Sequence, residues 1–258
     1  MGAVADVLRS ALLERSGVVH GFNLRTGGVS EGAFASLNLG RSVGDEPEHV
    51  AENLRRFALA TGYGQSALFE TSQVHGAGVQ AVSAGDDPVA VRRLEADALV
   101  APAGGLAIAV RVADCVPVLL FAADSGAVAA VHAGWRGVAR GVVEAGVRAL
   151  IQIGEDAPQR LSAALFPHIG RCCFEVGEDV AEQLAALHPE PAAVVDRTHS
   201  KPHVDLAAIV RAKLQALGLR EESIERVAGC TRCEPERFFS FRRDGQRSGR
   251  HVAAIVSR

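Results

Sequence analysis

The sequence predicts an α+β fold, layered mixed β-sheets with packed helices, over a single domain spanning residues 1–258. Three observations predict it. Short apolar runs of strand character cluster between Ala98 and Ala133, instead of alternating one by one with helices as a regular βαβ array requires. Segments of helical period are grouped after that cluster. No internal repeat, low-complexity tract or linker divides the chain, which is long enough to bury a large core.

The elements follow in order. "MGAVADVLRSALLERSG" reads as an amphipathic helix or a ragged terminus. Residues 17–40, "GVVHGFNLRTGGVSEGAFASLNLG", read as a short strand and a long glycine-rich loop. "EPEHVAENLRRFALATG" spaces Val50, Leu54, Phe57 and Ala58 as one helix face, with acids in its first turn and Gly62 at its end. "ALFETSQVHGAGVQAV" alternates like a strand pair bent at His75-Gly76. Three apolar strands come next, "GLAIAVRV", "VPVLLF" and "AVAAVHA", separated by turns at "ADC" and "AADSG". A helix runs from about Val138 to Ile153. Strand "LSAALF", helices "EVGEDVAEQLAAL" and "DLAAIVRAKLQALG", and strands "RFFSFRR" and "RHVAAIV" complete the chain.

Composition narrows the function. The residues are 48% apolar and 22% charged, as in an ordinary globular protein, and the net charge of −3 leaves no footprint for nucleic acid or an anionic membrane. No apolar run reaches the roughly 18 residues of a membrane span. Asp6, Arg9, Glu14 and Arg15 interrupt the region a secretory signal keeps apolar, so the expected location is cytoplasmic. Five cysteines, an odd number, suit a reducing compartment. Cys230 and Cys233 form a CxxC, but the only matching pair is the adjacent Cys172 and Cys173, and neighbouring side chains rarely chelate one tetrahedral ion. "GCTRCEPERFF" also lacks the βαβ setting of a redox CxxC. These four thiols are expected to be free, buried or half-buried.

The remaining cysteine has different company. Cys115 in "VADCVP", His75 in "SQVHG" and His132 in "VHAGWRG" lie at apparent strand ends or turns, flanked by small residues. Two imidazoles and a thiolate form a three-ligand set for zinc with a fourth position open, and such an ion brings the pKa of bound water to about 7. The same residue types also serve a thiolate nucleophile with an imidazole base. Separations of 40 and 17 positions match no local chelate motif, so spacing alone does not choose.

"HGFNLRTGGVSEGAFASLNLG", "SQVHG", "ADCVPVLL", "VHAGWRG", "IGRCCFEVG" and "FFSFRRDGQRSGRHVAAIV" together closely resemble the laccase-domain (multicopper polyphenol oxidoreductase-like) purine nucleoside phosphorylase family, from about His20 to Val256. The resemblance implies a zinc or copper site on His75, Cys115 and His132. It implies phosphorolysis of adenosine, inosine and 5′-methylthioadenosine, and hydrolytic deamination of adenosine. It also implies a layered α+β fold related to toxin deamidases that use a Cys–His pair. The expected partners are a small nucleoside and phosphate, with no nucleic acid and no membrane, on a monomer or homodimer. This chain departs from the family pattern at Phe166, His168 and Arg171 beside Glu175, at Val112 where a Thr often precedes "ADC", and in "AENLRRF", where the Arg is shifted.

Around the ligand set, the candidates for proton transfer are Asp114 and Glu175, although Asp114 more readily reads as a turn or helix-cap carboxylate and Glu175 as a first-turn helix acid. Arg136, just ahead of a helix, suits an anion or plain solvent. Arg25 with Thr26-Gly27-Gly28, Asn38 and Arg242-Arg243 are candidates to complete a phosphate pocket. Trp135 either stacks on a purine or fills the core. Polyphenol oxidation by a copper cluster is disfavoured: none of the nine His falls in HxH spacing, and the only Met is the initiator.

Overall fold

A computed structural model describes residues 5–64 and 67–258. The described strands are β1 (Val7–Leu8), β2 (His20–Asn23), β3 (Leu68–Phe69), β4 (Val79–Ala81), β5 (Ala98–Ala101), β6 (Ala107–Val112), β7 (Val116–Ala122), β8 (Val128–Ala133), β9 (Leu161–Leu165), β10 (Val195–Asp196), β11 (His203–Val204), β12 (Ile224–Arg226) and β13 (His251–Val256). The α-helices are α1 (Ala11–Arg15), α2 (Pro47–Thr61), α3 (Pro88–Val91), α4 (Trp135–Ala139), α5 (Val142–Gly154), α6 (Glu178–Ala185), α7 (Pro191–Val194), α8 (Leu206–Ala216) and α9 (Phe241–Asp244).

Ten of these strands plus β12 build two sheets. A five-stranded sheet has the order β1-β2-β13-β6-β3, and a six-stranded sheet the order β12-β9-β7-β8-β5-β4. They pack face to face. Alternate residues of β6 and β13 (Ile108, Val110, Ala253, Ile255) meet alternate residues of β5, β7 and β8 (Leu99, Leu119, Phe121, Ala130) in one core. The opposite face of the first sheet (Ala107, Ala109, Val252, Ala254) is covered by Phe57 and Tyr63 from α2 and its end. The opposite face of the second (Ala98, Val118, Leu120, Val131) is covered by α5, α6 and α8. The order of layers is thus helix, sheet, sheet, helices. Because both faces of the central strands are buried, "VPVLLFA" reads as an unbroken apolar run.

Several expectations change. The segment 67–82 is no hairpin: β3 pairs in parallel with β6 and β4 in parallel with β5, one in each sheet. The helix expected from Val138 is two helices, broken where Gly141 turns to φ 89°. "RFFSFRR" is not a strand. Ser240 accepts the Arg243 N–H and starts the short α9, while Phe238 and Phe239 are buried. At the N-terminus, β1 and α1 replace one longer helix, and residues 1–4 of that expectation lie outside the described residues.

One consequence of the strand order matters for function. β8, β9 and β12 run one way and β7, β5 and β4 end or begin at the same edge of the six-stranded sheet. The segments around 74–76, 97, 114–115, 132–136, 170–175 and 230–233 therefore meet there.

Candidate metal and active site

Asp97, which immediately precedes β5, is fully buried and organises the site. Its carboxylate accepts the main-chain N–H groups of Val74 (3.2 Å), His75 (2.9 Å) and Gly76 (2.6 Å). It also takes the Nδ1 of His132 at 2.8 Å, which turns the other ring nitrogen of that histidine toward Cys115. His132 is near the end of β8, and Cys115 stands just ahead of β7, paired with β8. His75 is exposed in its loop, and the His75 and His132 rings meet edge-on with centroids 4.9 Å apart. Cys115 Sγ lies 4.0 Å from His75 Nε2. One ligand atom from each of the three lies within 4.8 Å of the other two.

Glycine makes this approach possible. A Cβ on Gly134 would stand 2.9 Å from His75 Cδ2 and 3.0 Å from Cys115 Sγ, and one on Gly137 would stand 2.9 Å from the Gly76 carbonyl. His75 (φ 57°) and Asp114 (φ 92°) both hold left-handed backbone, an uncommon conformation for non-glycine residues that collects at functional sites.

The three side chains are electrostatically coupled. Burial pushes the Cys115 thiol up, but the His132 charge and hydrogen bonds from His132 and His75 outweigh it and bring it to about 6. Burial pushes His132 down, yet the Cys115 thiolate and the Asp97 carboxylate raise it to about 9. Asp97, despite its burial, is held low by His132 and by the amides of Gly76 and His75. Without an ion the pair is thus a thiolate beside an imidazolium. The donor set of two nitrogens and one thiolate, with a carboxylate behind one imidazole, fits zinc and equally fits copper.

A cleft of about 330 Å³ is lined among others by Trp135, Phe174, Glu175, Lys201 and Arg242. No triad residue lines it, and it connects to the triad through Trp135, in the segment that follows His132, and through Arg242, whose N–H reaches Asp114 beside Cys115. Arg136 is exposed and stacks on the Trp135 ring at 4.4 Å, inside the first turn of α4 and not ahead of it. Glu175 is half-buried and pairs with Lys201 at 3.0 Å, which keeps its carboxyl below the usual range. Both Asp114 oxygens are occupied, one by the Thr231 hydroxyl (2.6 Å) and one by the Arg242 N–H (2.6 Å).

The other sequence candidates serve the chain itself. Arg25 donates to the carbonyls of Ala35 and Pro235. Asn38 is buried, bonded to Asp45, Gly40 and the Arg250 N–H. Arg243 donates to the carbonyls of Thr231 and Phe238. These three brace loops and are not turned into the cleft by any bond the structure shows. Sequence reasoning passed over Asp97, Thr231, Lys201 and Arg250. Burial lowers Arg250, and the nearby charges of Asp114 and Cys115 oppose that shift, which places it beside the triad.

The four remaining cysteines are free, as expected, but only Cys173 and Cys230 are buried or half-buried while Cys172 and Cys233 are exposed, and the four form a second group whose sulfurs all lie within 4.8 Å of one another.

Comparison with known proteins adds four findings. The family model described as multi-copper polyphenol oxidoreductase laccase matches residues 19–258. A purine nucleoside phosphorylase of Streptomyces coelicolor is 42% identical over 231 residues, covering 89% of this chain and 91% of that protein. An adenosine deaminase from an unknown prokaryotic organism is 34% identical over 245 residues, covering 92% and 93%. Among solved structures, YlmD from Geobacillus stearothermophilus superposes with a TM-score of 0.86 at 34% identity, over 94% of this chain and 92% of that one.

Proposed function

This chain belongs to the multi-copper polyphenol oxidoreductase laccase family, and on that premise we propose that it is a metal-dependent purine nucleoside enzyme. Its reactions are phosphorolysis of adenosine, inosine and 5′-methylthioadenosine, and deamination of adenosine. The observation that carries the reading is the convergence of His75, Cys115 and His132 on one point, beside a cleft of nucleoside size. Relatives named purine nucleoside phosphorylase and adenosine deaminase support the same substrate class.

In phosphorolysis a phosphate oxygen bonds to C1′ as the C1′–N bond breaks, and the base leaves with the electron pair and takes up a proton. Arg136 offers the phosphate a planar fork, held in place by its stack on Trp135. Trp135 and Phe174 give the purine an aromatic wall. For deamination, water adds at C6 and ammonia leaves. We assign to Glu175, kept anionic by Lys201, the role of accepting a proton from that water. Asp114 has no free oxygen, so we assign it to positioning Arg242 at the cleft wall. Zinc held by His75, Cys115 and His132 supplies Lewis-acid polarisation when bound, and copper takes the same donors.

One observation favours a second reading. The thiolate–imidazolium pair of Cys115 and His132, backed by Asp97, is also the apparatus of a metal-free cysteine amidase or deamidase. Metal analysis separates the two: a metal-free, fully active enzyme inactivated by iodoacetamide supports the second. Copper polyphenol oxidation has weaker support, because the chain has no HxH pair to build a multinuclear cluster.

The deciding experiment follows phosphate-dependent turnover of inosine and adenosine, with release of base and ribose 1-phosphate, for wild type and Cys115→Ala. The expected result is that Cys115→Ala keeps its fold by circular dichroism but loses both metal and turnover. Full phosphorolysis by that variant overturns the reading.

A further inference from the structure

We propose that Cys172, Cys173, Cys230 and Cys233 bind one zinc ion in a closed tetrathiolate site, distinct from the His75–Cys115–His132 triad. Two tight turns form it. In the first, the N–H groups of Cys173 (2.9 Å) and Phe174 (3.0 Å) both bond the Gly170 carbonyl, and in the second the Glu234 N–H bonds the Cys230 carbonyl (3.2 Å). The turns follow β9 and β12, which are parallel neighbours, and a further bridge between His168 and Cys230 carries their pairing into the loops. The adjacent cysteines, poor chelators when extended, lie in the first of these turns with both sulfurs facing the CxxC.

The sulfur geometry suits one ion. Cys172 Sγ lies 3.6 Å from Cys230 Sγ and 3.4 Å from Cys233 Sγ, and Cys173 Sγ lies 3.2 Å from Cys233 Sγ. A Zn–S bond of about 2.3 Å gives a tetrahedral edge of about 3.8 Å. A disulfide needs about 2.05 Å, so none of these pairs is bonded. With every separation under 4.8 Å, the space holds one ion and not an iron–sulfur cluster. The second layer is that of a thiolate ligand: Cys230 Sγ accepts an N–H bond from Gly170 (3.2 Å). A Cβ on Gly170 would fall 3.3 Å from Cys172 Sγ and 3.5 Å from Cys230 Sγ, so glycine suits the approach.

The site has a structural task. Thr231, inside the CxxC turn, donates to Asp114, the neighbour of Cys115, and Arg243 holds the Thr231 and Arg232 carbonyls. On the other turn, Arg242 Nη1 donates to the Glu175 carbonyl two residues past Cys173. The ion ties the two loops to each other above the side chains they bury, Ile169 and Phe174 from one and Phe238 and Phe239 from the other.

The test measures metal in full-length protein purified without chelators. Wild type is expected to hold two zinc ions per chain by plasma mass spectrometry, with Cys115→Ser and the Cys172→Ser/Cys233→Ser double variant holding one each. Cys115→Ser refilled with cobalt should show the visible spectrum of a tetrahedral tetrathiolate, a readout that does not depend on the double variant folding. In that double variant amide exchange should rise across residues 170–175 and 230–243 but not across α2. One zinc per chain, absent from Cys115→Ser, with four thiols of the native protein open to Ellman's reagent, overturns the proposal. Iron in the site overturns the assignment to zinc.

Discussion

Asp97 accepts four hydrogen bonds with one buried carboxylate, three from the 74–76 loop and one from His132. It therefore sets both the position of His75 and the tautomer of His132. Asp97→Asn keeps the shape but turns a donor toward groups that are themselves donors. Zinc affinity of the triad should fall roughly 10- to 100-fold, the usual cost of losing such a support, as read by chelator competition. Wild-type affinity in the variant would remove Asp97 from this role. A pH prediction belongs to the same residues. A thiol held at about 6 is thiolate above that pH and protonates as pH falls through it, so alkylation of Cys115 in chelator-treated protein should be half-maximal near pH 6. Asp97→Asn should move that midpoint upward, because the imidazolium loses its carboxylate. Asp97 was invisible in "EADALV", one acid among many, since its meaning comes from partners 21 to 35 positions away. His75, Cys115 and His132 were legible as candidates because each stands at an apparent strand end or turn among small residues, although their spacing left metal ligation and nucleophilic chemistry both open.

The β8–α4 junction shows the same division among elements. Gly134→Ala should leave the fold intact and lose the triad metal and turnover, because its Cβ meets His75 and Cys115 near 3 Å. Gly146→Ala is the contrasting change. Its Cβ would meet Val131 Cγ2 at 2.7 Å and push α5 away from β8, costing about 1–3 kcal/mol of stability in urea titration while metal content is retained. Equal metal loss in both variants would show that the junction acts through packing and not through the site. Strands buried on both faces, such as β7, β8 and β13, were legible as apolar runs. Two- and three-residue strands such as β3, β10 and β12 carry too few residues for any period, and only their partners define them. The CC–CxxC pairing was illegible for a related reason: the turn that aims adjacent sulfurs the same way is made by the parallel pairing of β9 with β12.

Across the whole molecule, the joint between the two sheets is built around aromatic rings and neutral histidines. Phe22 stacks on Phe166 (5.9 Å) and on His251 (4.9 Å), and His20 leans on Phe166 (6.1 Å). Both nitrogens of His251 are engaged, with the Asn23 carbonyl and the Phe239 N–H, so no water reaches it. Burial drives His251 down to about 3 and His168 to about 4, and lowers His20 as well. The direction of the pH effect follows. Above pH 6.5 these rings are neutral folded or unfolded and add no slope. Below it the unfolded chain takes up protons that the folded chain refuses, so stability falls until pH reaches the folded values. Each histidine contributes about 1.4 kcal/mol per pH unit in that window. The depressed carboxylates, such as Glu52 and Asp97, act only below about pH 4.5, where unfolded carboxyls begin to protonate. The measurement compares urea unfolding of wild type and His251→Gln between pH 6 and 4.5, so that any metal release common to both cancels. His251→Gln, less stable at pH 7.5, should show a slope shallower by about 1.4 kcal/mol per unit, and the two stability curves should converge on acidification. Parallel curves would mean that His251 is charged or solvated in the folded protein, and the sheet joint would need another account.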